Sequence, residues 1–236
     1  MKISLQRTVA ALTGALDFVG IDEVHHGKRV ALLAFSIANE LGWEESRRLD
    51  LLYAGMLHDC GVARTEEHRH LSDTLEWEGA QAHCERGETY LLACPPLQRF
   101  AKTIRWHHTR WEDLAHEPLS TDERLEANLI FLADRLDVLL APYITADGLK
   151  NEILWEYLGI VDRLAGMSGC QFSPELIEAL QRAASREDFW LQCDPTYVHE
   201  VVDEHLMHEA PIELSSKDAL AIAGLFARTV DSKSVY

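Results

Sequence analysis

An all-α fold is predicted for this 236-residue chain by three features of its sequence. Apolar residues recur at three- and four-residue steps along most of its length, helix start and stop signals punctuate those stripes, and no segment alternates as a half-buried strand does. From His26, the stripe Val30, Leu33, Ile37 and Leu41 marks one helix, and Gly42 supplies its stop. Leu49, Leu52, Tyr53, Met56 and Leu57 mark a second, which delivers His58 and Asp59 to its C-terminal end beside Gly61. A third covers 78 to 92 around His83, with Gly79 and Gly87 weakening it. Pro95 and Pro96 open a fourth, which buries Leu97, Phe100, Ala101 and Ile104 and ends at His107 and His108. Ser120 and Glu123 have the capping-box spacing, and Leu125, Leu129, Leu132 and Leu136 form the stripe of a fifth.

Beyond Pro142, segments 149 to 165, 174 to 184, 196 to 208 and 216 to 229 read as helices, with Ser173 as an N-cap and Pro174 in the first turn. The expected organisation is a metal-binding domain over residues 1 to 145 and a helical extension over 146 to 236 packed on it. Residues 221 to 232 also resemble 11 to 22, as a second module entered beyond the chain end would; an ordinary amphipathic C-terminal helix is the simpler reading.

The histidines and aspartates carry the chemistry. His26, His58 with Asp59, His83, His107 with His108, and Asp134 each fall near the end or on one face of a predicted helix. A single buried histidine is usually a hydrogen-bonded core residue. An ordered set of imidazoles and carboxylates instead suits first-row metals such as iron, manganese or zinc. Asp134 lies among apolar residues, where an unpaired carboxylate is costly, so it requires a metal or a cation. Asp137, one turn on, is placed to orient a ligand histidine from behind. His25, His68, His70, His116, His199, His205 and His208 read as surface residues, and Cys60 as a small buried hydrophobe.

Composition narrows the partners. A formal charge of -17 repels polyanions, and no basic stripe offsets it, which excludes long nucleic acid. A small phosphorylated ligand remains compatible, because divalent ions reverse the local field. The five cysteines, Cys60, Cys84, Cys94, Cys170 and Cys193, contain no C-x-x-C pair and read as reduced thiols. The N-terminal stretch carries Arg7 and Asp17 without a long uncharged run, so neither a signal peptide nor a membrane span is expected, and the expected location is cytoplasmic.

H-G-K-R-V-A at 26 to 31, A-G-M-L-H-D-C-G at 54 to 61, H-C-E-R-G-E-T-Y-L-L at 83 to 92, I-R-W-H-H at 104 to 108 and L-A-D-R-L-D-V-L at 132 to 139 resemble, in order and spacing, the HD superfamily of metal-dependent phosphohydrolases. Within it they look most like the HD-GYP branch. The resemblance implies an HD-domain helical bundle with His26, His58, Asp59 and Asp134 on a first ion. Asp59 would bridge to a second ion held by His83, His107 and His108, and Asp22 matches the position of an additional acidic ligand. His58 and Asp59 would be the catalytic pair. The implied cofactors are two divalent ions, iron or manganese first, with zinc, magnesium and nickel as alternatives.

Two departures stand out. Val62 replaces the lysine that usually follows the HD pair, and T-R-W-E-D follows the histidine doublet where Gly-Tyr-Pro would stand. Arg64 and Arg110 are the candidate substrate-binding cations in their place. The implied function is hydrolysis of a nucleotide phosphoester, with a cyclic dinucleotide as the leading candidate. The rival is a catalytically silent module that binds metal or nucleotide and regulates a protein partner; a homodimer is compatible with both.

Overall fold

The computed structural model describes residues 3–17, 25–63, 79–145, 147–208 and 210–233. The first four helices are α1 (Leu5–Asp17), α2 (His26–Glu40), α3 (Glu45–Leu57) and α4 (Ala80–Leu92). A 3₁₀ turn (Pro95–Phe100) feeds α5 (Ala101–Trp106), followed by α6 (Trp111–Leu114) and the long α7 (Thr121–Leu140). The C-terminal region holds α8 (Ile153–Ala165), α9 (Pro174–Ala184), α10 (Glu187–Leu191), α11 (Val198–His208) and α12 (Ser216–Lys233). No helix of the described residues is long and apolar enough to cross a membrane.

Local signals set most of these boundaries. Gly42 follows the C-cap of α2 at φ 68°, a left-handed position that a residue with a Cβ adopts at a cost. At the start of α7 the Ser120 hydroxyl accepts from the Glu123 N–H at 3.2 Å, while Glu123 Oε2 accepts from the Ser120 N–H at 2.8 Å. Such a cap contributes about 1 kcal/mol.

Three expectations are corrected. The segment opened by Pro95 and Pro96 begins as 3₁₀, and α-helix starts only at Ala101. The helix expected from 149 starts at Ile153, because Gly148–Leu149 pairs with Ile144–Thr145 in a two-residue hairpin around Gly148 at φ 124°. Ile3–Ser4 pairs likewise with Glu213–Leu214; strands this short leave no alternation to read. Ser173 stands before α9, but its hydroxyl makes no cap. Its N–H instead donates to Asn128 Oδ1 at 2.8 Å.

Helix α2 runs through the middle of the fold, with Val30, Ala31, Leu32, Leu33 and Ala34 fully buried on every side. It packs on α3, α7 and α9. Gly55 lets α3 approach it closely: a Cβ there would sit 2.5 Å from the Ala31 Cα. One buried apolar cluster extends from Leu5 through Phe172, Leu180 and Trp190 to Phe226. Fully buried Asn128 on α7 joins the regions before and after 142, donating to the Gln171 carbonyl at 2.9 Å while accepting from Ser173.

We propose on this basis that residues 146–236 extend the domain built by 1–145. Expressed alone, residues 1–145 should aggregate or melt well below the full chain, since each large apolar side chain left bare forfeits about 1.5–3 kcal/mol. An equally stable truncated protein with unchanged metal content would make the extension a separate module.

Candidate metal centre

Five helices or helix ends converge on one cluster. His26 opens α2, His58 caps α3 with Asp59 after it, and His83 lies in the first half of α4. His107 and His108 follow α5, and Asp134 comes from the middle of α7. His26 Nε2 is 3.4 Å from Asp134 Oδ1 and 3.9 Å from Asp59 Oδ2, and His58 Nε2 is 3.5 Å from that same Asp59 oxygen. The other Asp59 oxygen, Oδ1, faces His83 Nε2 at 3.6 Å. His83 Nε2 and His107 Nε2 are 3.4 Å apart, and His108 Nε2 is 3.5 Å from Asp134 Oδ2. Asp59 therefore stands between two groups of imidazoles, one oxygen toward each.

The backs of the rings explain their orientation. Asp137 Oδ2 accepts from His26 Nδ1 at 2.7 Å, the Gly55 carbonyl accepts from His58 Nδ1 at 2.7 Å, and the Ile104 carbonyl accepts from His107 Nδ1 at 2.7 Å. Each Nδ1 is then the protonated nitrogen, so each Nε2 presents a lone pair to the centre. Asp137 is held in turn by Arg29, through contacts of 2.7 and 2.9 Å. Arg135 donates to Asp134 Oδ2 at 2.7 Å, which leaves Oδ1 toward His26 and His58.

On the His26 and His58 side, ring acceptors thus face the acceptor oxygens of Asp59 and Asp134 at 3.4 to 4.0 Å. His58 Nε2, Asp59 Oδ1 and His108 Nε2 are buried with no hydrogen-bond partner. Buried acceptors without donors cost free energy unless a cation satisfies them. Burial, the largest influence on all three, lowers His83 to about 3, His107 to about 4 and His108 well below the ordinary histidine value. Burial by itself would raise Asp59 and Asp134, but the facing His58 ring and the adjacent Arg135 respectively lead the opposing influences that hold both ionised. Neutral imidazoles with ionised carboxylates are the protonation states that bind metal. His26, His58 and Asp59 can hold one ion, and His83 and His107 sit where a second would lie, with the Cys84 sulfur 3.7 Å from His83 Nε2.

These values have a consequence for acid stability. The unfolded chain takes up protons near 6.5, whereas folded His83 resists until about 3 and His107 until about 4. Stability is therefore full above 6.5 and erodes as pH falls through that window, by about 1.4 kcal/mol per pH unit for each histidine. Chelator-stripped protein should melt several degrees lower at pH 5 than at pH 7.5, as calorimetry would show. A flat melting temperature over that range would contradict the burial of neutral imidazoles.

Other expectations fare differently. Asp22, Arg64, His68 and His70 lie outside the described residues. Arg110 stands just after the doublet with its guanidinium 3.6 Å from Glu112. His116 and His208 are exposed and Cys60 is buried, as expected. His25, His199 and His205 are not simple surface residues: His25 and His199 rings meet at 3.9 Å, and His205 packs on Phe35 at 4.3 Å. The reason is that α11 folds back across α1 and α2. Val62 is fully buried against Ala80, so a lysine substituted there would bury its charge at a cost of several kcal/mol. Arg29, Arg135 and Cys84 carry no assigned role in the sequence beyond their places in the motifs at 26 to 31, 132 to 139 and 83 to 92.

Comparison with known proteins agrees with this geometry. The HD domain family matches residues 24 to 139, the stretch that supplies every residue of the cluster. Residues 24–139 form an HD domain. The chain is 31% identical to the 3'3'-cGAMP-specific phosphodiesterase 1 of Vibrio cholerae, over 100% of this chain and 54% of that protein. It is 27% identical to a cyclic di-GMP phosphodiesterase of Thermotoga maritima, over 66% of this chain and 44% of that protein. A crystal structure of a cyclic GMP-AMP-specific phosphodiesterase of V. cholerae superposes on 99% of this chain and 61% of that one, with a TM-score of 0.73 at 17% identity. That likeness shows that the two share a fold. The chain spans about half the length of the curated relatives it matches.

Proposed function

We propose that this chain is a phosphodiesterase for cyclic dinucleotides with two divalent ions, iron or manganese, in the HD domain. The observation that carries the proposal is Asp59, whose two oxygens face separate imidazole groups at 3.5 and 3.6 Å. A carboxylate so placed would help hold both ions, one with His26, His58 and Asp134 and the other with His83, His107 and His108. When bound, such a pair of ions supplies Lewis acidity to a phosphoester oxygen and lowers the pKa of water.

The protein's own groups do the positioning. Asp137 and Arg29 keep the His26 lone pair aimed at the centre, and Arg135 fixes the direction from which Asp134 approaches. Two carboxylates set against two divalent ions leave the centre net positive, which suits a phosphodiester in a chain whose overall charge would repel one. Within the cluster, the Asp59 side chain is the most open, at 20% exposure, so substrate approaches over it. Arg110 and Arg64 are the proposed substrate-binding cations beyond the ions.

The relatives support this substrate class: proteins resembling this chain are named as phosphodiesterases of 3'3'-cGAMP and of cyclic di-GMP. Protein loaded with manganese or ferrous iron should open 3'3'-cGAMP to a linear dinucleotide. Cyclic di-GMP should be cleaved about tenfold more slowly, because the Gly-Tyr-Pro segment is absent and misplaced substrate loses orientation. Chromatographic product analysis tests this. Fully loaded protein that cleaves neither substrate would favour the silent, ligand-binding alternative.

A further inference from the structure

On the side of α2 away from the HD centre, a cavity of about 870 Å³ lies between α1, α2 and α11. Two residues along a helix turn a side chain through about 200°, so Lys28 points away from the carboxylates that His26 faces. Lys28 is only 4% exposed, and its ammonium donates to His199 Nδ1. That leaves His199 protonated on Nε2, which donates to His25 Nε2 at 2.9 Å. Lys28 thus stands on the cavity wall with the His199 and His25 rings behind it. Arg7 on α1 adds a second cation to the lining. Two cations among the described residues that line one cavity stand out in a chain of net charge -17.

The rest of the lining defines what accompanies the anion. Ala10 and Leu206 give an apolar wall, and Asp203, one helical turn after His199, offers an acceptor for hydroxyl or ring N–H donors. The volume is that of a site for a ligand the size of a nucleotide. A phosphate suits the cations, since arginine binds its oxygens in pairs while lysine adds a point charge. We propose that this cavity binds a nucleoside 5'-monophosphate, with its phosphate on Arg7 and Lys28, its base along the apolar wall and its sugar or base donors on Asp203. This site is distinct from the HD centre and does not depend on the phosphodiesterase reading.

The test is calorimetric titration of the full-length protein with 5'-GMP and 5'-AMP, alongside guanosine, adenosine and inorganic phosphate. One saturable site per chain is expected for at least one mononucleotide, with the nucleosides and phosphate at least tenfold weaker. Arg7→Ala changes an exposed residue, and Ala11→Phe fills part of the cavity from α1. Each should weaken nucleotide binding about tenfold or more without changing metal content. Lys28→Met should do the same if it folds, and Arg7→Ala decides the matter if it does not. Absence of saturable binding at millimolar nucleotide would overturn the proposal. So would binding that survives both Arg7→Ala and Ala11→Phe, which would place the nucleotide at the HD centre, or phosphate alone binding as tightly. Failure of cyclic dinucleotide hydrolysis with cavity binding intact would count against the phosphodiesterase reading alone.

Discussion

Asp59→Ala should leave the protein with less than one equivalent of bound metal and lower hydrolysis by on the order of 1,000-fold, about 4 kcal/mol of barrier. The carboxylate stands 3.5 Å from His58 Nε2 through one oxygen and 3.6 Å from His83 Nε2 through the other, so its removal would take a ligand from both proposed positions. It also takes away the charge that balances a cation there. His83→Ala should act on one side only, sparing the ion among His26, His58 and Asp134. Elemental analysis of the two variants, purified in parallel without chelator, separates these outcomes. Loss of one equivalent in both would contradict the bridging role.

The other large effect is structural. A Cβ at Gly61 would fall 2.1 Å from the His83 carbonyl oxygen and 2.4 Å from the Gly87 nitrogen. The loop that carries Asp59 rests directly on the backbone of α4, and neither neighbour is a flexible side chain that can move aside. Arg86 clamps the same contact by donating to the Gly61 carbonyl at 2.7 Å. Gly61→Ala should therefore destabilise by about 3 kcal/mol, the upper end for overpacking, and pull Asp59 away from His83. Chemical denaturation would read the first effect and metal retention the second. A variant with unchanged stability and two ions would show that this contact tolerates a methyl group.

What was legible in the sequence was local or regularly spaced. The Ser120 and Glu123 pair, the stop at Gly42, and the placement of His58 and His107 at helix ends need only the residues within a turn or two. The convergence of His26, His83 and Asp134 was legible because ordered motifs resembled a family that brings such residues together. Asp137 behind His26 followed from helical periodicity. The remainder depends on chain segments far apart. His199 reaches His25 across 174 positions, and nothing near either marks the contact. The fit of Gly61 onto α4 is likewise a backbone approach that only the packed structure reveals. Pro95 and Pro96 signal a helix start, yet a first turn without proline N–H groups is open to both 3₁₀ and α geometry, and neighbouring contacts chose the former.

Seven residues of the HD domain, His26, His58, Asp59, His83, His107, His108 and Asp134, are proposed to hold two ions. Elemental analysis of the protein saturated with manganese or iron, then freed of loosely bound metal by gel filtration, tests it most directly. Two equivalents per chain are expected. One equivalent or none, from protein that remains folded, would contradict the account.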